Sequence, residues 1–225
     1  MTLTNAQKNR FGYDLISSGY DKYIATRNYL GPEKVFNSVA DRIQPEDASS
    51  ILDVGVGTGL LSQKFREWAG ERFIAGVDIS FGMLHEAKQK GMLDQAVETD
   101  VTTETLPFND NYFDAAVSTG VTEYLESLDN VMDEMVRVTK PNGLLSFTTS
   151  SGIDILPKVT IGAKELLLKV LGGGDMVMNT YSRKPAEINE MLESRGCEVL
   201  ETQAFEGYRA TGGAIRYNLH VARLG

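Results

Sequence analysis

The twelve residues ILDVGVGTGLLS, Ile51 to Ser62, decide how the rest of the chain is read. An apolar run carries Asp53 to its end, three glycines follow at alternate positions (Gly55, Gly57 and Gly59), and an apolar-periodic segment begins at Leu60. A glycine turn between such segments brings backbone close to a ligand, because glycine has no side chain in the way and tolerates positive φ. The spacing is G-x-G-x-G. A dinucleotide fingerprint needs G-x-G-x-x-G, and its third glycine would fall where Leu60 stands. The phosphate loop G-x-x-x-x-G-K-S/T is missing as well, since no lysine precedes Leu61 and Ser62. Asp53 agrees with both exclusions: a carboxylate two residues before the turn sits badly beside a pyrophosphate and well beside a cationic group.

Outward from this turn, apolar strand-like runs alternate with amphipathic helical segments. The strand candidates are Ile51–Val54, Phe73–Asp78, Gln95–Thr99, Phe113–Ser118 and Gly143–Thr149. A helix is expected from Leu128 to Thr139, with Val131, Met135 and Val138 on its apolar face and Asp129 as its cap. Such alternation predicts a parallel sheet with helices on both faces. At the end of the chain GCEVLETQAFEGY and GAIRYNLHVARL follow one another across RATGG with no helix between them, which predicts a hairpin with an antiparallel last strand. Thr4 to Gln44 reads as two or three helices. Residues 150–180 read as an insertion with an apolar helix and three consecutive glycines that would serve as a hinge. The expected organisation is one domain over 1–225: a helical cap at 1–45, a ligand-binding core at 50–150, a lid at 151–180, and a helix with a hairpin at 181–225.

Bulk properties narrow the partners. With 225 residues, 42% hydrophobic and 24% charged, the chain has ordinary globular composition. Its 22 basic and 31 acidic side chains give −9, and no Lys/Arg cluster appears, so a nucleic-acid partner is disfavoured. Cys197 is the only cysteine, which fits a reducing compartment, and the N-terminal stretch lacks the apolar core of a signal peptide. The most apolar run, Ile153 to Leu171, is broken by five charged residues and does not read as a membrane span. A soluble cytoplasmic protein is the expectation, and a homodimer an allowed one.

Two further acids stand at successive strand ends. Asp78 closes FIAGVD, beside the first turn, where a carboxylate can accept both hydroxyls of a ribose. Asp100 closes AVETD, within reach of an exocyclic amine. A glycine turn, a ribose acceptor and a base acceptor without a cation for phosphate describe a nucleoside with an amino-acid-like tail. At this point the sequence resembles the class I S-adenosylmethionine-dependent methyltransferases, through LDVGVGTGLLS, GVDIS with Met83-Leu84, the TD at Asp100, LPFNDNYFDAAVSTGVTEYL and EMVRVTKPNGLLSFTTS. The resemblance covers roughly Ser50 to Ser150, and within the superfamily it is nearest the small-molecule group that includes quinone-biosynthesis enzymes. It implies a Rossmann-like seven-stranded α/β sheet. It also implies a methyl transfer from S-adenosyl-L-methionine, leaving S-adenosyl-L-homocysteine, to an O, N or C nucleophile of a small apolar or aromatic acceptor.

The resemblance also implies roles. Asp53, Gly55 and Gly57 would line the methionine part, with Thr58 and Gly59 at the helix start. Asp78 would take the ribose, with Ile79 and Met83 against the adenine and Asp100 and Val101 at its edge. Ser118, Thr119 and Gly120 would run beside the donor methyl, and Tyr20 would face the methionine carboxylate. Each has a plainer reading: Met83 as core filler, Asp100 as a turn cap, and the tyrosines as helix packing.

In-line transfer from a sulfonium needs alignment and exclusion of water more than a dedicated base. Of the two histidines, His85 reads as a surface helix residue and His220 as a strand residue. Glu123 and Tyr124, just after the fourth strand, are the catalytic candidates. Tyr23, Leu167 and Leu168 are candidates for contact with the acceptor. No metal is called for. A cofactor-binding regulator or partner subunit without transfer activity, and a protein methyltransferase, are the competing readings.

Overall fold

The structure, a computed structural model, describes residues 3–153, 180–210 and 213–225. The apolar runs become seven strands: β1 (Ser50–Val54), β2 (Phe73–Asp78), β3 (Gln95–Glu98), β4 (Phe113–Ser118), β5 (Thr139–Ile153), β6 (Cys197–Ala210) and β7 (Gly213–Leu224). They form one sheet in the order β3-β2-β1-β4-β5-β7-β6. Strands β1 to β5 pair in parallel, and β7 runs antiparallel to both β5 and β6. The hairpin expected at the end of the chain is therefore present, with its second strand inserted beside β5.

Helices cover both faces. The chain begins with α1 (Asn5–Ile16), α2 (Tyr20–Arg27) and α3 (Gly31–Ala40); α4 (Leu60–Ala69) and α5 (Phe81–Gln89) follow β1 and β2; α6 (Asp129–Val138) precedes β5; and α7 (Pro185–Glu193) precedes β6. The period-two alternation of β1 divides the core. Ile51 faces a layer with Val35, Val39 and Phe65 of α3 and α4. Leu52 and Val54 face the opposite layer, with Met132 and Met135 of α6 and Ile188 and Leu192 of α7.

Local chemistry sets the element ends. Thr4 and Gln7 form a reciprocal capping box at α1. Gly59, at φ 84°, opens α4, and Ser80 Oγ accepts the Met83 N–H at 3.1 Å to cap α5. Asp129 lies inside the first turn of α6 and makes no cap hydrogen bond. Its carboxylate instead accepts from the Ser127 hydroxyl and from Arg195. Strand β5 is also longer than the expected Gly143–Thr149, because Thr139 pairs with Phe113 before an irregularity that contains Asn142 at φ 64°. Arg137 on α6 bonds Asp110 at 2.6 Å and the carbonyls of Leu106 and Phe108, so the long β3–β4 connection is tied to the helix.

Among the described residues no helix is long and apolar enough to cross a membrane. The insertion at 154–179, including its glycine hinge, lies outside the described residues.

Phe113 is fully buried and touches the rings of Phe73, Phe108 and Tyr112. Replacing it with alanine is expected to lower stability by about 3–5 kcal/mol, read from the urea midpoint and slope.

Candidate cofactor and acceptor cleft

The carboxyl ends of β1, β2 and β4 open into a cleft of about 630 Å³, within the range of small-molecule sites. The glycine turn is its floor. Gly55, Gly57 and Gly59 have φ of 70°, 55° and 84°, values that side chains avoid. Gly55 has a second reason to be glycine, since a Cβ there would lie 2.1 Å from Val121 Cγ2. The turn is anchored from β2: the N–H groups of Gly55 and Val56 donate to the Val77 carbonyl at 2.8 and 2.9 Å, and the Gly57 N–H donates to Asp78 Oδ2 at 2.8 Å.

The acids sit as the strand ends require. Asp53 is 1% exposed; its Oδ2 accepts from the Ser62 hydroxyl at 2.7 Å, and its Oδ1 is buried without a partner. Burial pushes its carboxyl up to about 7 despite the Ser62 hydrogen bond. Asp78 also accepts the Ser80 N–H at 2.9 Å, and burial raises it to about 6 against its two backbone donors. Asp100 lines the cleft, but its Oδ1 is already used by the N–H and hydroxyl of Thr102, the turn-capping arrangement.

Ile79, Met83, Val101, Thr58, Thr119 and Gly120 line the same cleft. Met83 is also core, with 1% exposure. Gly59 and Ser118 are not among the lining residues: Gly59 is the backbone hinge into α4, and Ser118 is buried in β4.

The N-terminal helices roof the cleft through Tyr13, Tyr20 and Ile24, joined by Tyr29 from the α2–α3 connection. Tyr23 faces outward, 45% exposed, under the Arg27 guanidinium. Tyr124 lines the cleft, whereas Glu123 lies behind the wall, 5% exposed. Glu123 Oε1 accepts from the Tyr217 hydroxyl at 3.0 Å, Oε2 has no partner, and burial raises the carboxyl to about 7. His85 is a surface residue bonded to Gln89. His220 is fully buried beside Thr149, held neutral by burial that lowers it to about 4, and is not a lining residue. Leu167 and Leu168 lie outside the described residues. Among the described residues no group of acids, His and Cys is arranged to hold a metal.

Sequence reading missed the residues that tie the roof down. Asp14 of α1 accepts from the Ser80 hydroxyl and the Gly82 N–H at 2.6 and 2.8 Å. Asp21 of α2 accepts from the Thr58 hydroxyl and pairs with Lys90. Tyr29 shares a hydrogen bond of 2.9 Å with Thr119. Each partner lies far away in sequence, and a lone polar residue on a helix carries no signal of such a contact.

Comparison with known proteins agrees with this geometry. In fold the chain is similar to solved S-adenosylmethionine-dependent methyltransferases, among them one from Methanosarcina mazei at TM-score 0.64 and 17% identity, covering 83% of this chain and 96% of that one. More particularly, residues 52–147 match the family described as Methyltransferase domain. Malonyl-(acyl-carrier protein) O-methyltransferase of Erwinia pyrifoliae is 33% identical over 129 residues, covering 56% of this chain and 48% of that protein. The chain thus spans about half the length of that curated relative. The cyclase SpnF shares the fold at TM-score 0.70 and 19% identity, covering 99% of this chain and 97% of that one. Magnesium protoporphyrin IX methyltransferase of Synechocystis PCC 6803, solved with bound SAH, does so at TM-score 0.59 and 18% identity, covering 100% and 89%.

Because the folded carboxyls of Asp53, Asp78 and Glu123 are raised, the native chain holds more protons than the unfolded one between about pH 4 and pH 7. Their contribution to stability is complete below the ordinary carboxylate range and is lost as pH rises through the raised values. The urea midpoint of the ligand-free protein is expected to fall between pH 5 and pH 8, and Asp53→Asn to flatten that fall. The Gly55→Ala protein is expected to melt at lower temperature, having both a positive φ and Val121 to accommodate.

Proposed function

We propose that the protein transfers a methyl group from S-adenosyl-L-methionine to a small-molecule acceptor. The observation that carries this reading is the pair Asp53 and Asp78 flanking a glycine turn with no cation for phosphate. Asp53 Oδ1, buried and unpartnered, suits the ammonium of the methionine tail. Asp78 accepts the Gly57 N–H at Oδ2 and the Ser80 N–H at Oδ1, and each oxygen keeps acceptor capacity for the ribose hydroxyls. Ile79, Met83, Asp100 and Val101 would hold the adenine, and Gly55, Gly57, Thr119 and Gly120 would lie along the methionine part. Tyr20 supports the assignment to the methionine carboxylate by its place in the roof.

When bound, the cofactor supplies an electrophilic methyl on a sulfonium. The chain's own task is to orient the acceptor, exclude water and leave a path for any proton. Closure by α1 and α2 serves the exclusion of water, and orientation alone supplies roughly 7–11 kcal/mol of barrier reduction in favourable cases. Tyr124, on the wall, is the side chain placed to orient the acceptor, with Glu123 acting from behind it. Leu167 and Leu168, which lie outside the described residues, are assigned from the sequence to the acceptor's apolar part. The single buried thiol of Cys197 supports a reducing, cytoplasmic setting.

Calorimetry is expected to show one site for S-adenosylmethionine and S-adenosylhomocysteine, weakened by about ten- to a hundredfold in Asp78→Ala, the loss expected for charge-assisted hydrogen bonds. An Asp78→Ala protein binding both as tightly as the parent would overturn the ribose assignment. Leu167→Asp is expected to raise the acceptor KM and leave cofactor affinity unchanged.

A further inference from the structure

The acceptor end of the cleft differs in chemistry from the cofactor end. Three tyrosines, Tyr13, Tyr29 and Tyr124, line it, and Tyr20 borders them from the methionine side. Tyr13 meets Tyr20 edge-on at 6.1 Å between ring centroids and Tyr124 at 5.8 Å. Tyr29 reaches the same space from the far side, its hydroxyl on Thr119 and its ring against Gly31, where a Cβ would come within 2.3 Å. Glu123 stands behind them: burial is the main cause that raises the phenols of Tyr13 and Tyr29, and the Glu123 charge adds to the rise in both.

Charge is one-sided. The described lining residues include Asp53, Asp78, Asp100, Glu126 and Asp129, and none is Lys, Arg or His. Of the described cations nearby, Lys90 is committed elsewhere, whereas Arg183 keeps its Nη1 buried without a hydrogen-bond partner behind the cleft wall. Lys90 is held by Asp21 and the Thr58 carbonyl, and Arg183 gives Nη2 to the carbonyls of Leu125 and Glu126. Glu123 makes no ion pair with a described residue, and its Oε2 stays buried and unpartnered. A buried carboxylate without a counter-charge is costly, and tyrosine faces attract cations through their quadrupole. Among the described lining residues, an anionic acceptor would meet Glu126 and Asp129, the two carboxylates the cofactor does not take, and no cation. A neutral hydroxyl acceptor would leave Glu123 uncompensated.

We propose that the acceptor is an amine, received between Tyr13, Tyr29 and Tyr124, with Glu123, which has no ion pair with a described residue, behind them as its counter-charge. This rests on the methyltransferase reading above. The bound ammonium first gives one proton to solvent, which frees the nitrogen lone pair; that pair forms the new N–C bond while the methyl–sulfur pair stays on sulfur. The positive charge passes from sulfur to nitrogen inside the same aromatic enclosure. Net charge in the cleft is unchanged across the step, so the tyrosine faces hold a cation before it and after it.

The test separates this inference from the reading beneath it. Protein saturated with S-adenosylhomocysteine, which carries no sulfonium, is titrated with tetramethylammonium, tert-butanol and acetate. Tetramethylammonium is expected to bind at least tenfold more tightly than either of the others. Glu123→Gln and Tyr124→Leu are each expected to weaken it about five- to thirtyfold, while Tyr29→Phe, which keeps the ring, retains binding. With S-adenosylmethionine, an amine panel is expected to yield methylated amines and a matched alcohol and carboxylate panel none. Equal binding of tert-butanol or acetate overturns the amine assignment, as does methylation of alcohols or carboxylates alone. Displacement of S-adenosylhomocysteine by tetramethylammonium also overturns it, since the enclosure would then belong to the cofactor. Failure of S-adenosylhomocysteine to bind at all counts against the methyltransferase reading itself. Thermal melts of Glu123→Gln and Tyr124→Leu, with Tyr29→Phe as the ring-preserving control, identify any variant that loses binding by unfolding.

Discussion

Two backbone N–H groups, those of Gly57 and Ser80, converge on the carboxylate of Asp78 at 2.8 and 2.9 Å. One donor belongs to the glycine turn after β1 and the other to the cap of α5, so this carboxylate fixes the floor of the cleft against its side wall. The adjacent hydroxyl of Ser80 in turn donates to Asp14, which brings the first helix into the same network. Remove the charge at Asp78 and the glycine turn and the α5 cap lose their common partner. The sheet itself does not depend on it, because β1 and β2 pair over five registered positions.

That arrangement carries a cost which a ligand offsets. Asp53 and Glu123 each leave one oxygen buried without a donor. Such groups lower the stability of the empty fold, and a partner that supplies the missing donor recovers the difference on binding. The acids are thus placed for complementarity to something absent from the chain, where a structural carboxylate would be paired. Asp114 shows the contrast: Lys140 and the hydroxyls of Ser49 and Ser50 surround it and hold it below the ordinary carboxylate range.

Much of this was legible in the sequence, for identifiable reasons. Strand runs and the glycine turn announce themselves through local pattern, because period-two burial and positive φ constrain neighbouring residues. Asp53 and Asp78 were legible because they stand at fixed offsets from that turn. The roof was not. Asp14, Asp21 and Tyr29 act across 66, 37 and 90 positions, and nothing local distinguishes them from solvated helix residues. Asp129 was read as a cap because aspartate favours that position, but the helix starts one residue earlier in backbone terms, with Ser127 taking the Asp129 N–H. Strand β5 begins at Thr139 and not at the expected Gly143, because the structure absorbs the intervening residues in an irregularity and lets pairing begin earlier.

The first two helices bury little: Asn9 and Gly12 in α1, and nothing in α2. What fastens them is polar, through Asp14, Asp21, Asn5 on the Tyr124 carbonyl, and Arg10 on Glu98. A segment held by a few hydrogen bonds and exposed ion pairs detaches by local opening, far short of global unfolding, and its ion pairs loosen as ionic strength rises. Ligand residence time and fold stability are therefore set by different residues in this molecule. Evolution or an engineer can retune how long the site stays shut by exchanging surface charges on two short helices, without disturbing a single residue of the sheet.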